Sequence, residues 1–272
     1  MFLVFDTETT GLPKRWDAPI SDHGNWPRCI QIAWQLHDGF GNCIEHKDFT
    51  VTPDGFDIPF ESEQIHGIST ALATKEGSAI NAILADFTVA LAKSKYIIGH
   101  NVKFDVNIIG AELDRLGLDT SITKTPILDT CTEHTAALCQ IPGGRGGRFK
   151  LPTLSELYKQ LFDDSFDQVH NATADVEATA RTFFELLRQN KFPVNQITNG
   201  ELLVSRLNET FKKAVPLIGL SHTNLKAASA KLIKDMQAPD SATAALTKTA
   251  PNTPFAHLHT LSQFTVLQST IR

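Results

Sequence analysis

The chain has 272 residues, 42% of them hydrophobic and 20% charged, a composition typical of a globular protein large enough to bury a sizeable core. Its formal net charge of −5 excludes a protein that coats nucleic acid through an overall positive field. The apolar start meets Asp6 after five residues and has no basic flank, so we predict neither a signal peptide nor a membrane span and expect a cytoplasmic protein.

The predicted elements begin with a buried strand. Residues 2–5 form a continuous apolar run that ends in the polar segment 6–11. Residues 12–28 contain prolines and two tryptophans without periodicity, which indicates a long loop. Alternating apolar residues over 30–36 predict a half-buried strand, and residues 43–51 are predicted to return as the second strand of a hairpin.

Helices and short strands alternate in the middle of the chain. Apolar residues at helical spacing predict an amphipathic helix over residues 78–93, followed by a short strand at 96–99. A second helix is predicted over 104–116, and a third is expected to begin near Asp129. We assign Asp129 a capping role at that helix start rather than a catalytic one.

Two further helices complete the predicted domain. Residues 143–148 include four glycines in six positions and are predicted to form a loop. Helical spacing then returns over residues 151–162 and again over residues 172–189. Strands followed by alternating helices and strands predict an α/β domain with a mixed sheet that ends near residue 190.

The predicted domain covers residues 1–190, and three further parts are predicted after it in the sequence. Residues 191–237 are expected to form a weakly amphipathic helical extension. Residues 238–254 are rich in Ala, Thr, Pro and Ser and predict a flexible linker. Residues 255–272 form a separate terminal segment, and from residue 191 onward nine basic residues stand against four acidic ones.

Four acidic residues suggest a metal site. Asp6 and Glu8 are two residues apart in a strand, so their side chains point to one face about 7 Å apart. Asp105 lies in the first turn of a predicted helix, and Asp175 lies beside the apolar stripe of another. Carboxylates on separate elements suit two Mg²⁺ or Mn²⁺ ions, which promote phosphodiester hydrolysis. A zinc site is not favoured, because the chain lacks clustered Cys and His ligands.

Three segments together resemble a known family. FDTETTG at residues 5–11, GHNVKFD at 99–105 and HNATAD at 170–175 are similar to the three exonuclease motifs of the DEDDh superfamily, above all to those of the proofreading epsilon subunit of bacterial DNA polymerase III. The resemblance covers residues 1–190 and implies an RNase H-like fold, with helices on both faces of the sheet. It also implies a 3′–5′ exonuclease acting on single-stranded or frayed DNA 3′ ends, with four acids as ligands of two divalent metal ions.

The resemblance also assigns roles to single residues. His170 becomes the general base, which agrees with its position just before a helix and with the neutral pKa range of histidine. His66 lies in a segment, IHGI, that resembles the part of the family that packs against the terminal nucleotide. Thr7 and Thr9 are expected to contact the same nucleotide.

The end of the chain resembles a different domain. Residues 255–269 are similar to the opening of the PHP domain of the DNA polymerase III alpha subunit, which suggests a covalently fused alpha domain as partner. Two alternatives stay open. One is an RNA-directed enzyme of the oligoribonuclease or RNase T type, and the other is a non-catalytic polymerase-binding module.

Overall fold

A computed structural model of the chain describes residues 1–166, 170–221 and 223–237. The predicted linker at 238–254 and the PHP-like segment at 255–272 lie outside the described residues. Within the described part of the chain, no helix has the length and apolar character needed to cross a membrane.

One five-stranded mixed sheet forms the centre of the fold, as the sequence predicts. Its strands are β1 (Phe2–Thr9), β2 (Cys29–His37), β3 (Cys43–Thr50), β4 (Tyr96–Gly99) and β5 (Ile127–Asp129). They lie in the order β3-β2-β1-β4-β5, with β2 antiparallel to β1 and β3, and with β4 parallel to both β1 and β5. The long strand β1 is therefore the central strand. Its carboxyl end lies at the same end of the sheet as the carboxyl ends of β4 and β5, which run in the same direction.

Helices cover both faces of this sheet. Those in the described residues are α1 (Phe60–His66), α2 (Thr70–Glu76), α3 (Ile80–Lys93), α4 (Lys103–Arg115), α5 (Glu133–Cys139), α6 (Leu154–Phe162), α7 (Ala172–Arg188), α8 (Gly200–Thr210) and α9 (Leu225–Gln237). Phe2 and Val4 of β1 pack with α6, α7 and α8, whereas Leu3 and Phe5 pack with α3 and α4. The alternation along β1 thus separates two hydrophobic cores.

Two predicted elements differ from the structure. β2 is buried along its whole length rather than half-buried, because it lies between β1 and β3 with helices on both faces. Its polar side chains are hydrogen-bonded, as in the 2.9 Å bond that Gln31 donates to Asp48. Asp129 ends strand β5 instead of beginning a helix, and α5 begins at Glu133 behind its own capping residue, Thr132.

The short helices α1 and α2 have no counterpart among the predicted elements. Each has seven residues, so neither contains enough turns to display a helical repeat. The two helices meet at Gly67, which caps α1 with a φ of 80°. Ser69 then caps α2 by accepting a hydrogen bond from the backbone of Leu72.

Residues beyond position 190 contribute to the core around α7. Phe192, Ile197, Leu203 and Leu207 are buried in the same cluster as Phe183 of α7. Hydrophobic side chains on both sides of the proposed boundary at residue 190 therefore share one core. The division into an exonuclease domain and an extension stays a prediction.

Candidate active site

The carboxyl end of β1 brings two acidic side chains to one face of the sheet. Phe2 and Val4 pack toward α7, and by the alternation of the strand Asp6 and Glu8 follow on that face. The pairing of β1 with β2 becomes irregular just after Glu8, where the strand leaves the regular ladder. Asp6 is partly buried and Glu8 is buried, so both carboxylates lie at the margin of the core.

Asp105 reaches this end of the sheet from the opposite side. It lies in the first turn of α4, which packs on the other face of β1. Its Oδ1 accepts hydrogen bonds from the backbone N–H of Thr7 at 3.0 Å and from the Thr7 hydroxyl at 2.6 Å. Thr7, the residue between Asp6 and Glu8, therefore fixes the orientation of the third carboxylate.

The start of α7 supplies Asp175 and the preceding His170. Asn171 caps the helix, and the next residue, Ala172, donates its N–H to the Oε1 atom of Gln31 at 3.2 Å. Asp175 Oδ2 accepts a 3.0 Å hydrogen bond from the backbone N–H of His170, whose φ is 69°. This contact holds His170 in a left-handed conformation, which leaves its side chain at the surface beside the acids.

All four carboxyl groups have raised pKa values, and burial is the largest cause at each of them. Burial, with the charges of the other three acids, raises the pKa of Asp6 well above its ordinary value. Burial and the charges of Asp175 and Asp105 raise the pKa of Glu8 to about 8. Burial likewise raises the pKa of Asp105 and that of Asp175 to about 7. In the described parts of the chain, none of the four forms an ion pair with a lysine or arginine.

These surroundings fit divalent cations. Glu8, His170 and Asp175 offer ligand atoms that all lie within 4.8 Å of one another. Asp175 Oδ1 is buried and has no hydrogen-bond partner among the described residues, so it is free to bind a cation. Asp6 and Asp105 are not members of that trio, and Asp105 Oδ1 accepts its hydrogen bonds from Thr7. The assignment of Asp6, Glu8, Asp105 and Asp175 as metal ligands stays a prediction.

An open cleft of about 670 Å³ leads to the acids. Asp6, His170 and Asp175 line one side of it, and residues 151–155 before and at the start of α6 line another. His100 also lines the cleft, and its Nε2 lies 2.9 Å from the carbonyl oxygen of Pro152. The cleft is wide enough for a nucleotide-sized group beside the carboxylates.

The two threonines expected to bind the substrate are buried and form hydrogen bonds within the protein. The Thr7 hydroxyl donates its hydrogen to Asp105, and the Thr9 hydroxyl donates to the carbonyl oxygen of Gly11 at 2.7 Å. Because each hydroxyl already donates its hydrogen within the protein, it retains only acceptor capacity for a bound nucleotide. Their predicted contacts with substrate remain untested, whereas the structure gives Thr7 a role in orienting Asp105.

His66 is also buried, with 4% of its surface exposed. Its Nδ1 accepts a 3.0 Å hydrogen bond from the backbone of Ile68, and burial lowers its pKa to about 4. His66 and His170 line a common small cavity with the first turn of α9. The structure thus places His66 beside the general-base candidate, and its contact with a nucleotide stays a prediction.

Other residues support the site without any sequence signal for that role. Asp129 accepts hydrogen bonds from the backbone N–H groups of Asn101 at 2.8 Å and Val102 at 3.1 Å. It therefore holds the turn that leads into α4, the helix that carries Asp105, instead of beginning a helix of its own. Gln31 anchors α7 from β2. Both contacts join residues far apart in the chain, so sequence spacing alone cannot reveal them.

We expect the metal-free protein to lose stability as the pH rises. The acids have raised pKa values in the folded state, so folding takes up protons, and their contribution to stability is lost between pH 4 and about 8. In EDTA, Tm should fall by several degrees from pH 6.5 to 8.5, since one pKa unit is about 1.4 kcal/mol and 1 kcal/mol shifts Tm by about 3 °C.

The double variant Asp6→Asn with Glu8→Gln should flatten this dependence, whereas Asp119→Asn, an exposed control, should leave it unchanged. The lowered pKa values of His66 and His170 act in the opposite direction, because they favour folding as the pH rises, and this effect is common to the wild type and the variants. Parallel Tm curves for the wild type and the double variant would contradict the proposed repulsion.

Comparison with known proteins identifies sequence relatives. Residues 3–183 match the family Exonuclease, RNase_T. DNA polymerase III subunit epsilon of Rickettsia conorii is 31% identical over 192 residues, which cover 70% of this chain and 76% of the relative. The PolC-type DNA polymerase III of Streptococcus thermophilus is 30% identical over 216 residues, which cover 78% of this chain and 13% of that protein.

Solved structures show a similar fold. Exonuclease I superposes with a TM-score of 0.55 and 24% identity, covering 69% of this chain and 40% of that chain. E. coli exonuclease I in complex with an oligonucleotide gives a TM-score of 0.55 at 23% identity, again over 69% of this chain and 40% of that chain. The chain thus spans less than half of exonuclease I, and the similarity concerns the fold alone.

Proposed function

The chain belongs to the Exonuclease family and is a 3′–5′ exonuclease with an RNase H-like fold, and we propose that it is the proofreading nuclease of a bacterial DNA polymerase III. The main support is the convergence of four carboxylates, without a lysine or arginine partner in the described residues, beside His170 at one end of the sheet. Such a site suits a reaction on a phosphodiester, whose negative charge requires cations nearby.

In this proposal Asp6, Glu8, Asp105 and Asp175 hold two divalent ions, Mg²⁺ or Mn²⁺. When bound, the ions neutralise charge on the phosphate and on the leaving oxygen and promote ionisation of the attacking water. The elements β1, α4 and α7 carry these four side chains to one end of the sheet. The raised pKa values of the acids fall once cations bind, because cations stabilise the ionised form.

His170 accepts the proton of the attacking water on a ring nitrogen. Burial, with a contribution from the charge of Lys226, lowers the pKa of His170, so the ring is neutral and able to accept a proton near pH 7. Asp175 positions this residue through the hydrogen bond from its backbone. The oxygen of the water forms a bond to phosphorus as the bond between phosphorus and the 3′ oxygen of the preceding nucleotide breaks. The 3′ oxygen takes up a proton to become the new 3′ hydroxyl, and the terminal nucleotide leaves as a 5′-monophosphate.

The proposed substrate is a single-stranded or frayed DNA 3′ end, and the proposed partner is the polymerase III alpha domain. Support for the partner comes from the epsilon and PolC-type relatives, the latter carrying the similar segment within a longer polymerase. The PHP-like resemblance of residues 255–269 favours a covalent fusion to alpha. We place the protein in the cytoplasm, where bacterial DNA is replicated.

A labelled-strand assay tests the proposed function. With Mg²⁺ or Mn²⁺, a 3′-labelled DNA strand should release its label at once as a mononucleotide, whereas a 5′-labelled strand should shorten stepwise. EDTA should stop both reactions, because the carboxylates cannot neutralise the phosphate without cations. A mismatched primer end should be degraded faster than a paired one, since it frays more readily.

The same assay with RNA separates the alternatives. Faster degradation of RNA than of DNA would overturn the proofreading assignment in favour of an oligoribonuclease or RNase T type of enzyme. Binding of DNA without release of nucleotides under any metal condition would point to a non-catalytic module.

A further inference from the structure

The first turn of α9 lies against the catalytic end of the sheet. Lys226, Leu225 and the preceding Asn224 line a cavity of about 150 Å³ together with His66 and His170. The segment that leads to α9 is held to α7, because the side chain of Asn171 donates a 3.2 Å hydrogen bond to the carbonyl oxygen of Thr223. Residues far from the three motifs in sequence therefore form one wall beside the general-base candidate.

A close contact fixes α9 in this position. Ser229 is buried, and its hydroxyl donates to the carbonyl oxygen of Gly67 at 2.7 Å and accepts the N–H of Ser69 at 3.1 Å. At Gly67 an added Cβ would lie 2.4 Å from Cγ and 2.7 Å from the backbone nitrogen of Lys226. Helix α9 therefore packs directly against the backbone of the turn between α1 and α2.

The cavity contains hydrogen-bond donors without acceptors. His66 Nδ1 accepts from Ile68, so the hydrogen of the neutral ring lies on Nε2, which is buried without a partner among the described residues. Lys226 is exposed, and no carboxylate of the described chain lies within ion-pair distance of it. A buried donor without a partner beside an exposed cation suits an anionic group rich in oxygen.

We propose that Lys226 is a substrate-binding residue that contacts a backbone phosphate of the strand whose 3′ end reaches His170. The inference rests on the proposed function, because it takes the ligand of this cavity to be the same nucleic-acid strand. Helix α9 then contributes to substrate binding, because it places a lysine beside a site whose other charged groups are acidic. The four carboxylates repel a phosphate, and Lys226 offsets part of that repulsion.

Strand binding without hydrolysis tests this proposal. The probe is a fluorescent single-stranded oligodeoxynucleotide with a free 3′ hydroxyl, and its Kd is measured by anisotropy in EDTA. K226A should raise Kd by about tenfold and reduce the salt dependence of log Kd by about 0.7, the value for one phosphate contact on a single strand. K226R should restore most of the affinity, and in Mg²⁺ K226A should raise KM while leaving kcat within about twofold.

Lys231 provides the matched control, because it is an exposed lysine on the same helix outside the cavity. K231A removes the same charge and should leave Kd and the salt dependence unchanged. S229A loosens the contact between α9 and Gly67, so it should raise Kd in the same direction as K226A without altering Lys226 itself.

Equal Kd values for K226A and K231A would overturn the proposal, as would tighter binding or faster hydrolysis by S229A, which would show that α9 obstructs the strand. The proposed function fails by a different result. A wild-type protein that binds the strand but releases no nucleotide in Mg²⁺ or Mn²⁺ would remove the nuclease assignment and leave the comparison of Kd values intact.

Discussion

Asp175→Asn is expected to abolish nucleotide release while leaving the fold intact. The amide keeps an oxygen that can accept the hydrogen bond from the His170 backbone, but it loses the charge needed to hold a cation. The loss should reach about 10³-fold or more, since cations contribute several kcal/mol to the transition state and each 1.36 kcal/mol is tenfold in rate. Single-turnover hydrolysis of a 3′-labelled DNA strand in Mg²⁺ measures it.

Asp6→Asn should behave in the same way, and both variants should melt at a higher temperature than the wild type in EDTA at pH 8.5. The increase follows from removal of a buried charge, because burial raises the pKa values of both carboxyl groups, and the charges of the other three acids raise that of Asp6 further. Asp119→Asn, beyond the opposite end of α4, is the control and should retain full activity. Near-normal turnover in either active-site variant would exclude that residue from the mechanism.

The sheet and its long helices are predictable from local patterns. The apolar run of β1 and the helical repeats of α3 and α7 each match an element of the structure. The burial of β2 is not predictable in this way, because it depends on the neighbours of the strand in the sheet rather than on its own alternation. Asp129 shows the same limit, since it binds the backbone of the turn before α4 and does not begin the following helix.

The candidate site is also predictable only in part from local patterns in the sequence. The three motifs predict Asp6, Glu8, Asp105 and Asp175 as site residues, because each motif is a short segment that can be recognised in the sequence. The hydrogen bond that orients Asp105 joins residues 98 positions apart, and the contact of Ser229 with Gly67 spans 162 positions. Contacts of that range arise only when the chain folds, so α9 and Lys226 could not be assigned to the site from sequence.

His170→Ala is expected to lower the rate of hydrolysis by about 10²–10⁴-fold, the usual effect of removing a general base, with the Kd for single-stranded DNA in EDTA largely unchanged. The backbone at this position has a φ of 69°, which alanine tolerates poorly. A loss of activity in the alanine variant alone could therefore reflect movement of Asp175, which is bonded to the same backbone group.

His170→Asn separates the two causes. Asparagine adopts the left-handed conformation more readily than alanine, so it preserves the backbone contact with Asp175 while lacking a side chain that can accept a proton near pH 7. Both variants should lose activity to a similar extent, and His134→Ala, an exposed histidine on α5, should lose none. If His170→Asn stayed active while His170→Ala did not, the residue would serve to position Asp175, and another group would have to accept the proton.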